Sequence, residues 1–155
     1  MRRMYMAAVV LTALVAGGDT LAAQSANPLL GKWSITYEPG RRVENGETTP
    51  IMGTATITIM QHGDSLVATI EPAARPDGTK PPTASFGGRM TPAGAVLVQE
   101  PMATLNMNGV ETQKKMVLTW TLNASGDALT GTMARELPEM EPAAPAPVKG
   151  TRLAP

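Results

Sequence analysis

A strict alternation of apolar and polar residues in one stretch sets the strongest limit on how this chain can fold. Met116, Leu118, Trp120 and Leu122 alternate with valine and threonine, which is the period of a β-strand with one apolar face. After the turn sequence Ala-Ser-Gly-Asp, the alternation resumes through Met133. The stretch 115–135 therefore predicts a β-hairpin. A lone hairpin cannot bury its apolar face, so the rest of the chain must supply a larger sheet.

The same alternation recurs on both sides of this hairpin. Trp33 and Tyr37 share one face of a first strand, and Ile57 lies on the apolar face of a strand over 53–61. Further strands are predicted at intervals, and no segment after residue 26 keeps helical spacing long enough to predict a helix. About eight strands joined mostly by tight turns favour an all-β antiparallel up-and-down barrel, which leaves no unpaired edge. A two-sheet β-sandwich is the alternative.

Several segments interrupt the alternation. The polar stretch 39–50 contains Asn45-Gly46, a dipeptide typical of tight turns, and predicts a loop or a small hairpin of its own. Asn108-Gly109 gives a second such turn, followed by a run from Val110 into Trp120. Proline-rich segments at 72–82 and 136–147 cannot continue a hydrogen-bonded ladder and predict loops at the ends of the sheet.

The N-terminus has the organisation of a secretory signal peptide. Arg2 and Arg3 precede an apolar run over 7–16, and small residues follow around 21–23. An uncleaved membrane anchor is less consistent, because the run is shorter than the roughly 20 apolar residues a span needs. We therefore expect a signal helix and cleaved leader at 1–25, a single barrel domain at 26–155, and an exported protein, periplasmic or extracellular, without a membrane span after cleavage.

Composition excludes several kinds of chemistry. The chain has no cysteine, so thiol catalysis, disulfides and thiolate metal sites are ruled out. Its 13 basic and 13 acidic residues balance, which gives no electrostatic footprint for nucleic acid or an anionic membrane. No nucleic-acid partner is expected.

The start of the first predicted strand suggests a family. Gly31-Lys32-Trp33 is similar to the G-x-W motif that opens the first strand of lipocalins and other calycin barrels. Arg152, in the last predicted strand, matches the arginine that packs across that tryptophan. The resemblance implies a lipocalin-like barrel in a small secreted bacterial protein, in which Trp33 and Arg152 close one end through a cation–π contact.

No residue pattern in the chain points to catalysis. His62 is the single histidine and lies in a predicted turn beside Asp64, without partners that would make it a base or metal ligand. No nucleophile-elbow, phosphate-loop or H-E-x-x-H pattern occurs. The methionines are scattered, which favours filling of an apolar interior over copper binding. We expect no enzyme activity, no metal and no cofactor.

Two functional hypotheses remain. The first is a binding module whose lumen holds a small hydrophobic molecule, entered past the 39–50 or 72–82 segments. The residues expected to contact it are Trp33, Tyr37, Ile57, Met116, Trp120 and Met133. The second is a structural or protein-interaction domain whose barrel is filled by its own side chains and holds no ligand. An eight-stranded barrel is compatible with both, because its interior is at the boundary between a packed core and a one-ligand cavity.

Overall fold

The computed structural model describes residues 27–107, 109–138 and 140–154, and within these ranges the chain forms β-strands and turns without a helix. Ten strands follow one another, most of them joined by tight turns. Their bounds are β1 Gly31–Glu44, β2 Glu47–His62, β3 Ser65–Pro72, β4 Ala84–Thr91, β5 Gly94–Gln99, β6 Met102–Met107, β7 Val110–Lys115, β8 Val117–Ser125, β9 Ala128–Glu136 and β10 Ala146–Arg152.

Eight of these strands form a closed antiparallel barrel. Neighbours in the wall follow the order of the chain, and β1 closes the circle by pairing with both β2 and β10. Closure gives every wall strand a partner on each side, so the barrel has no free edge. The predicted all-β, eight-stranded up-and-down barrel is confirmed, and the alternative of a two-sheet sandwich is wrong.

The remaining two strands, β6 and β7, form a hairpin outside the wall. The sequence predicted one continuous run from Val110 to Trp120, but the structure divides it between β7 and β8. Pro101 lacks an N–H and cannot extend the ladder of β5. Its carbonyl instead accepts a hydrogen bond of 2.9 Å from the N–H of Met116, which brings the two ends of the hairpin together. β5 therefore pairs directly with β8 in the wall, with Gln99 opposite Leu118.

The segment 39–50, predicted as a loop or a small hairpin of its own, is mostly strand and forms the outer part of the long β1–β2 hairpin. β1 and β2 continue past the barrel to a turn at Asn45 and Gly46, whose φ angles are 52° and 80°. These positive values are those of the turn that fits the right-handed twist of a hairpin, and glycine and asparagine adopt them most readily. Most residues beyond Pro39 are exposed. Backbone hydrogen bonds therefore hold this part of β1 and β2 together. Its sequence lacks the apolar alternation that marks a half-buried strand.

Alternation within the wall places apolar side chains inside and hydroxyl side chains outside. Ala55, Ile57 and Ile59 of β2 are buried, whereas the threonines between them face outward. On the outer surface, the hydroxyls of Thr69 and Ser85 on adjacent strands are 2.9 Å apart. Both indoles of the chain are inside the barrel.

Of the two proline-rich connections, the first is displaced by one residue from its predicted bounds and the second is shorter than predicted. β3 continues through Pro72, so the first connection covers 73–83. β10 begins at Ala146, so the second runs from 137 to 145. The predicted leader at 1–25 lies outside the described residues. In the part of the chain that the structure describes, no helix is long and apolar enough to cross a membrane.

Candidate functional site

One end of the barrel is closed by Arg152 and Trp33. The guanidinium carbon of Arg152 lies 4.1 Å from the centroid of the Trp33 ring, within cation–π range. Arg152 also donates hydrogen bonds to the carbonyl oxygens of Pro28, at 2.6 Å, and Leu30, at 2.9 Å. The indole N–H of Trp33 donates to the carbonyl of Leu29 at 2.9 Å. These contacts hold the segment before β1 against the barrel, where Leu29 is buried.

The interior next to this closed end is filled with side chains. Trp33 and Ile57, two of the predicted ligand contacts, are both 0% exposed, and neither lines the cavity or the cleft described below. Large, fully buried side chains surround them: Leu29, Ile35, Ile59, Leu97, Leu122, Leu129 and Val148. This half of the barrel is a packed core, as an eight-stranded barrel permits. Trp33 and Ile57 are part of this core and lie away from the spaces that a ligand could enter.

The other end of the barrel contains a group of three aromatic rings. The ring centroids of Tyr37 and Trp120 are 5.6 Å apart, and those of Phe86 and Trp120 are 5.9 Å apart. Such offset arrangements contribute about 0.5–1.5 kcal/mol beyond the area they bury. Met133 lies opposite Trp120 in the β8–β9 register and is buried beside it. Three of the predicted ligand contacts therefore come together at this end.

A cavity of about 140 Å³ lies beside two of these rings, those of Tyr37 and Trp120. Tyr37, Trp120 and Met133 line it together with Arg135, whereas Met116 is only half-buried against the core and does not contribute. The indole N–H of Trp120 is buried and has no hydrogen-bond partner among the described residues. A buried donor without a partner costs about 1–3 kcal/mol.

A larger cleft of about 790 Å³ opens beside the cavity on the outer side of the barrel mouth. It lies between the projecting part of the β1–β2 hairpin and the 73–83 connection, which are the two segments expected to flank an entrance. Most of its lining is apolar, including Ile51 and Met52, which are 43% and 55% exposed. Tyr37, Pro39 and Pro72 line both the cleft and the cavity, so the two spaces adjoin at these residues.

An ion-pair group around the buried Glu38 supports the wall at this mouth. The carboxylate of Glu38, which is 6% exposed, lies 2.6 Å from Nε of Arg41 and 3.4 Å from Nη1 of Arg135. Arg135 also donates a hydrogen bond to the backbone carbonyl of Glu38. Two guanidinium groups thus share one carboxylate. Arg41, Arg135 and Glu38 together therefore carry a net charge of one positive unit.

The 73–83 connection holds Arg75 at the rim of the cleft by its backbone. The N–H of Arg75 donates to the carbonyl of Thr79 at 2.7 Å, and the N–H of Gly78 donates to the carbonyl of Arg75 at 2.8 Å. Asp77 accepts hydrogen bonds from the hydroxyl and the N–H of Thr79, which hold the pKa of its carboxyl below the usual range. The guanidinium of Arg75 forms no hydrogen bond or ion pair with the described residues.

Tyr37 lies at the junction of the cleft and the cavity, and its hydroxyl can reach a molecule bound there. The hydroxyl forms no hydrogen bond with the described part of the chain, although the residue is 8% exposed. Burial raises the pKa of Tyr37 above its ordinary value of 10.0, while the positive charges of Arg135 and Arg75 act in the opposite direction. Both cations therefore lie close enough to influence the phenol, and desolvation outweighs them.

Ionisation of Tyr37 is expected to weaken the fold at alkaline pH. Because the folded state holds the phenolic proton more tightly, this contribution is fully present below pH 10.0 and is lost as the pH rises through the folded pKa. The chain has only two tyrosines, so in a Tyr5→Phe background the tyrosinate absorbance reports Tyr37 alone. The free energy of unfolding in urea, measured from about pH 9 to pH 12, should fall more steeply than in Tyr5→Phe/Tyr37→Phe. Half-ionisation at or below pH 10.0 would contradict the expectation.

Several residues of this end were not singled out by the sequence analysis. Phe86, Glu38 and Arg135 all contribute to the mouth, yet each looks ordinary in the sequence. Phe86 is the single phenylalanine and lies in an alternating strand, which was the one usable signal. Glu38 and Arg135 are 97 positions apart, so their contact depends on closure of the barrel. His62 ends β2 and is exposed, away from this mouth.

Among the described residues, no three side chains of histidine, cysteine, aspartate or glutamate lie close enough together to hold a metal ion. The polar groups at the mouth are instead hydrogen-bond donors and cations next to apolar surface. Such an arrangement suits the non-covalent binding of a molecule. No protein-family model, curated protein or solved structure matches the chain.

Proposed function

We propose that this protein is an exported, lipocalin-like binding module that takes a small apolar molecule at the open end of its barrel. The cleft at the mouth is the observation that supports this function. Its volume of about 790 Å³ falls within the roughly 300–1,000 Å³ of typical ligand sites, whereas the inner cavity, at about 140 Å³, falls below that range. The body of the ligand therefore occupies the cleft, and only a small part of it enters the cavity beside Trp120.

Other features are consistent with this proposal. The Gly31-Lys32-Trp33 motif and the contact of Trp33 with Arg152 resemble the closed end of a lipocalin, and the closed eight-stranded wall has the matching architecture. The signal-like sequence at 1–25 supports export to the periplasm or beyond it. Binding without catalysis needs no base or nucleophile at the mouth. The proposal differs from the sequence-based hypothesis in one respect, because the ligand lies at the mouth and not deep in the lumen.

A neutral fluorescent probe tests whether the cleft binds apolar molecules. N-phenyl-1-naphthylamine should bind with saturation and with one site per chain, because apolar surface in the cleft shields it from water. Replacing Met52 with glutamate places a charge in this lining, and we expect the Kd to increase about tenfold or more. Fluorescence titration of both proteins gives the two constants.

Met60→Glu is a matched control for this experiment. Met60 lies on the same strand as Met52, is also 55% exposed, and does not line the cleft. Its replacement should leave the Kd unchanged, because it alters charge and hydrophobicity on the outer wall alone. Absence of saturable binding, or equal losses in the two variants, would contradict the proposed site.

A second candidate is an interaction domain whose barrel is filled and holds no ligand. The packed half around Trp33 and the hairpin of β6 and β7 outside the wall favour this alternative. Met102 and Val110 of that hairpin are 60% and 64% exposed, one at each end of it, and a partner that covers the hairpin would bury both. A protein that fails to bind the probe, yet changes its oligomeric state or partners when β6 and β7 are replaced by a short turn, would support this second function.

A further inference from the structure

The charged groups around the cleft indicate which class of apolar molecule fits it. Three cations lie at or beside the mouth: Arg41, Arg75 and Arg135. Two carboxylates accompany them, Glu38 between Arg41 and Arg135, and Asp77 on the same connection as Arg75. This set has an excess of one positive charge. The Arg42 and Glu44 pair, 3.6 Å apart near the tip of the β1–β2 hairpin, is balanced and does not line the cleft.

Hydrogen-bond donors and cations lie where the cleft meets the cavity. Tyr37 lines both spaces, is 8% exposed, and has a hydroxyl without a partner among the described residues. Arg75 lines the cleft, and Arg135, whose guanidinium is paired with Glu38, lines the cavity. Donors and cations that converge beside apolar surface are the arrangement that recognises a carboxylate, because that group accepts several hydrogen bonds and carries one negative charge.

We propose, on the basis of the binding function above, that the ligand is a monocarboxylic acid with an apolar body, and that its carboxylate binds at Tyr37 between Arg75 and Arg135. The apolar body then lies along Ile51 and Met52 in the cleft. One negative charge balances the excess positive charge of the mouth, whereas a neutral alcohol leaves it uncompensated. A dianionic phosphate carries one negative charge more than the mouth can balance.

Three ligands with the same ten-carbon chain separate these cases: decanoate, decanol and decyl phosphate. Each displaces N-phenyl-1-naphthylamine from the full chain, and the loss of probe fluorescence gives its Kd. We expect decanoate to bind about tenfold or more tightly than decanol, as hydrogen bonds to a charged group typically give, and more tightly than decyl phosphate.

Arg75→Ala is the informative variant, because the Arg75 side chain is exposed and makes no bond whose loss would disturb the fold. The preference for decanoate over decanol should fall to less than threefold in this variant, while the Kd for decanol stays the same. Lys80→Ala removes an exposed cation from the same connection that does not line the cleft, and should keep the full preference. Comparison of the two variants distinguishes a direct contact of Arg75 with the carboxylate from a general effect of losing one positive charge.

Each other outcome overturns a specific statement. Equal affinity for decanoate and decanol, with tight binding of the probe, overturns the carboxylate site and leaves the apolar binding function intact. Failure of the probe and of all three ligands to bind overturns both proposals. Tighter binding of decyl phosphate overturns the assignment to a monocarboxylate, and an unchanged preference in Arg75→Ala overturns the role of Arg75.

Discussion

Replacement of Trp33 by alanine is expected to lower the free energy of unfolding by about 3–5 kcal/mol, the range measured for large aromatic side chains removed from cores. The indole is 0% exposed and packs among side chains of the closed half, so its removal leaves a cavity. The variant also loses the hydrogen bond to Leu29 and the contact with the Arg152 guanidinium. The loss is a large part of the 5–15 kcal/mol by which domains are normally stable.

Urea unfolding followed by far-ultraviolet circular dichroism measures this effect without depending on the indole itself. Met60→Ala serves as the control, because Met60 is 55% exposed on the outer face of β2 and its truncation should change stability by no more than about 0.5 kcal/mol. A loss below about 1 kcal/mol for Trp33→Ala would mean that the closed end is not packed as described.

Replacement of Gly88 by alanine is expected to cost several kcal/mol or to prevent folding. A Cβ atom at this position would lie 2.1 Å from the carbonyl oxygen of Val96 and 2.7 Å from the Cα of Leu97. Both atoms belong to the backbone of β5, which pairs with β4 at this point, so the two strands would have to move apart. Overpacking of this kind typically costs about 1–3 kcal/mol even where side chains can adjust, and here the backbone must.

Gly87→Ala, one residue earlier, is the matched control. A Cβ atom there would have its nearest neighbour at 3.8 Å, an ordinary contact, and neither glycine has a positive φ. We expect Gly87→Ala to be neutral or slightly stabilising, since alanine lowers the entropy of the unfolded chain. Thermal unfolding of the two variants measures the difference. Equal Tm values for Gly87→Ala and Gly88→Ala would contradict the close approach of β4 and β5.

The division of the barrel into a packed half and an open half limits its function. The packed half takes up the deep lumen in which a lipocalin-like protein would be expected to hold its ligand. The apolar surface that is left lies at the mouth, next to donors that the protein itself does not use. A binding function at this position depends on the β1–β2 hairpin and the 73–83 connection, because these segments form the two sides of the cleft.

Much of the fold could be predicted from the sequence because strand alternation is a local property. Trp120 and Ile57 each lie in a run whose period of two fixes which side chains face inward, and turn dipeptides such as Asn45-Gly46 mark where strands reverse. The extension of β1 and β2 into solvent was less certain, because a strand that is exposed on both faces has no apolar alternation. The separation of β6 and β7 from the wall was missed for a related reason: alternation describes a strand but does not name its partner.

The candidate site could be predicted only in part. Tyr37, Trp120 and Met133 are inward residues near one end of their strands, and the structure brings them together at the cavity. Trp33 and Ile57 have the same pattern in sequence but lie in the packed half. Their depth along the barrel axis depends on the stagger between strands, which no single strand encodes. The ion pairs of Glu38 and the position of Arg75 depend on contacts between segments far apart in the chain.

The sequence by itself determined that this chain forms antiparallel strands with one apolar face and that it forms no thiolate sites or disulfides. It also placed Trp33 in the first strand and Arg152 in the last. Tertiary structure alone decided which half of the barrel is filled, where the open mouth lies, and which polar groups there are left without partners. The physical reason is that alternation and turn chemistry act between neighbouring residues. Volume and charge at the mouth depend on how eight strands close around a common interior.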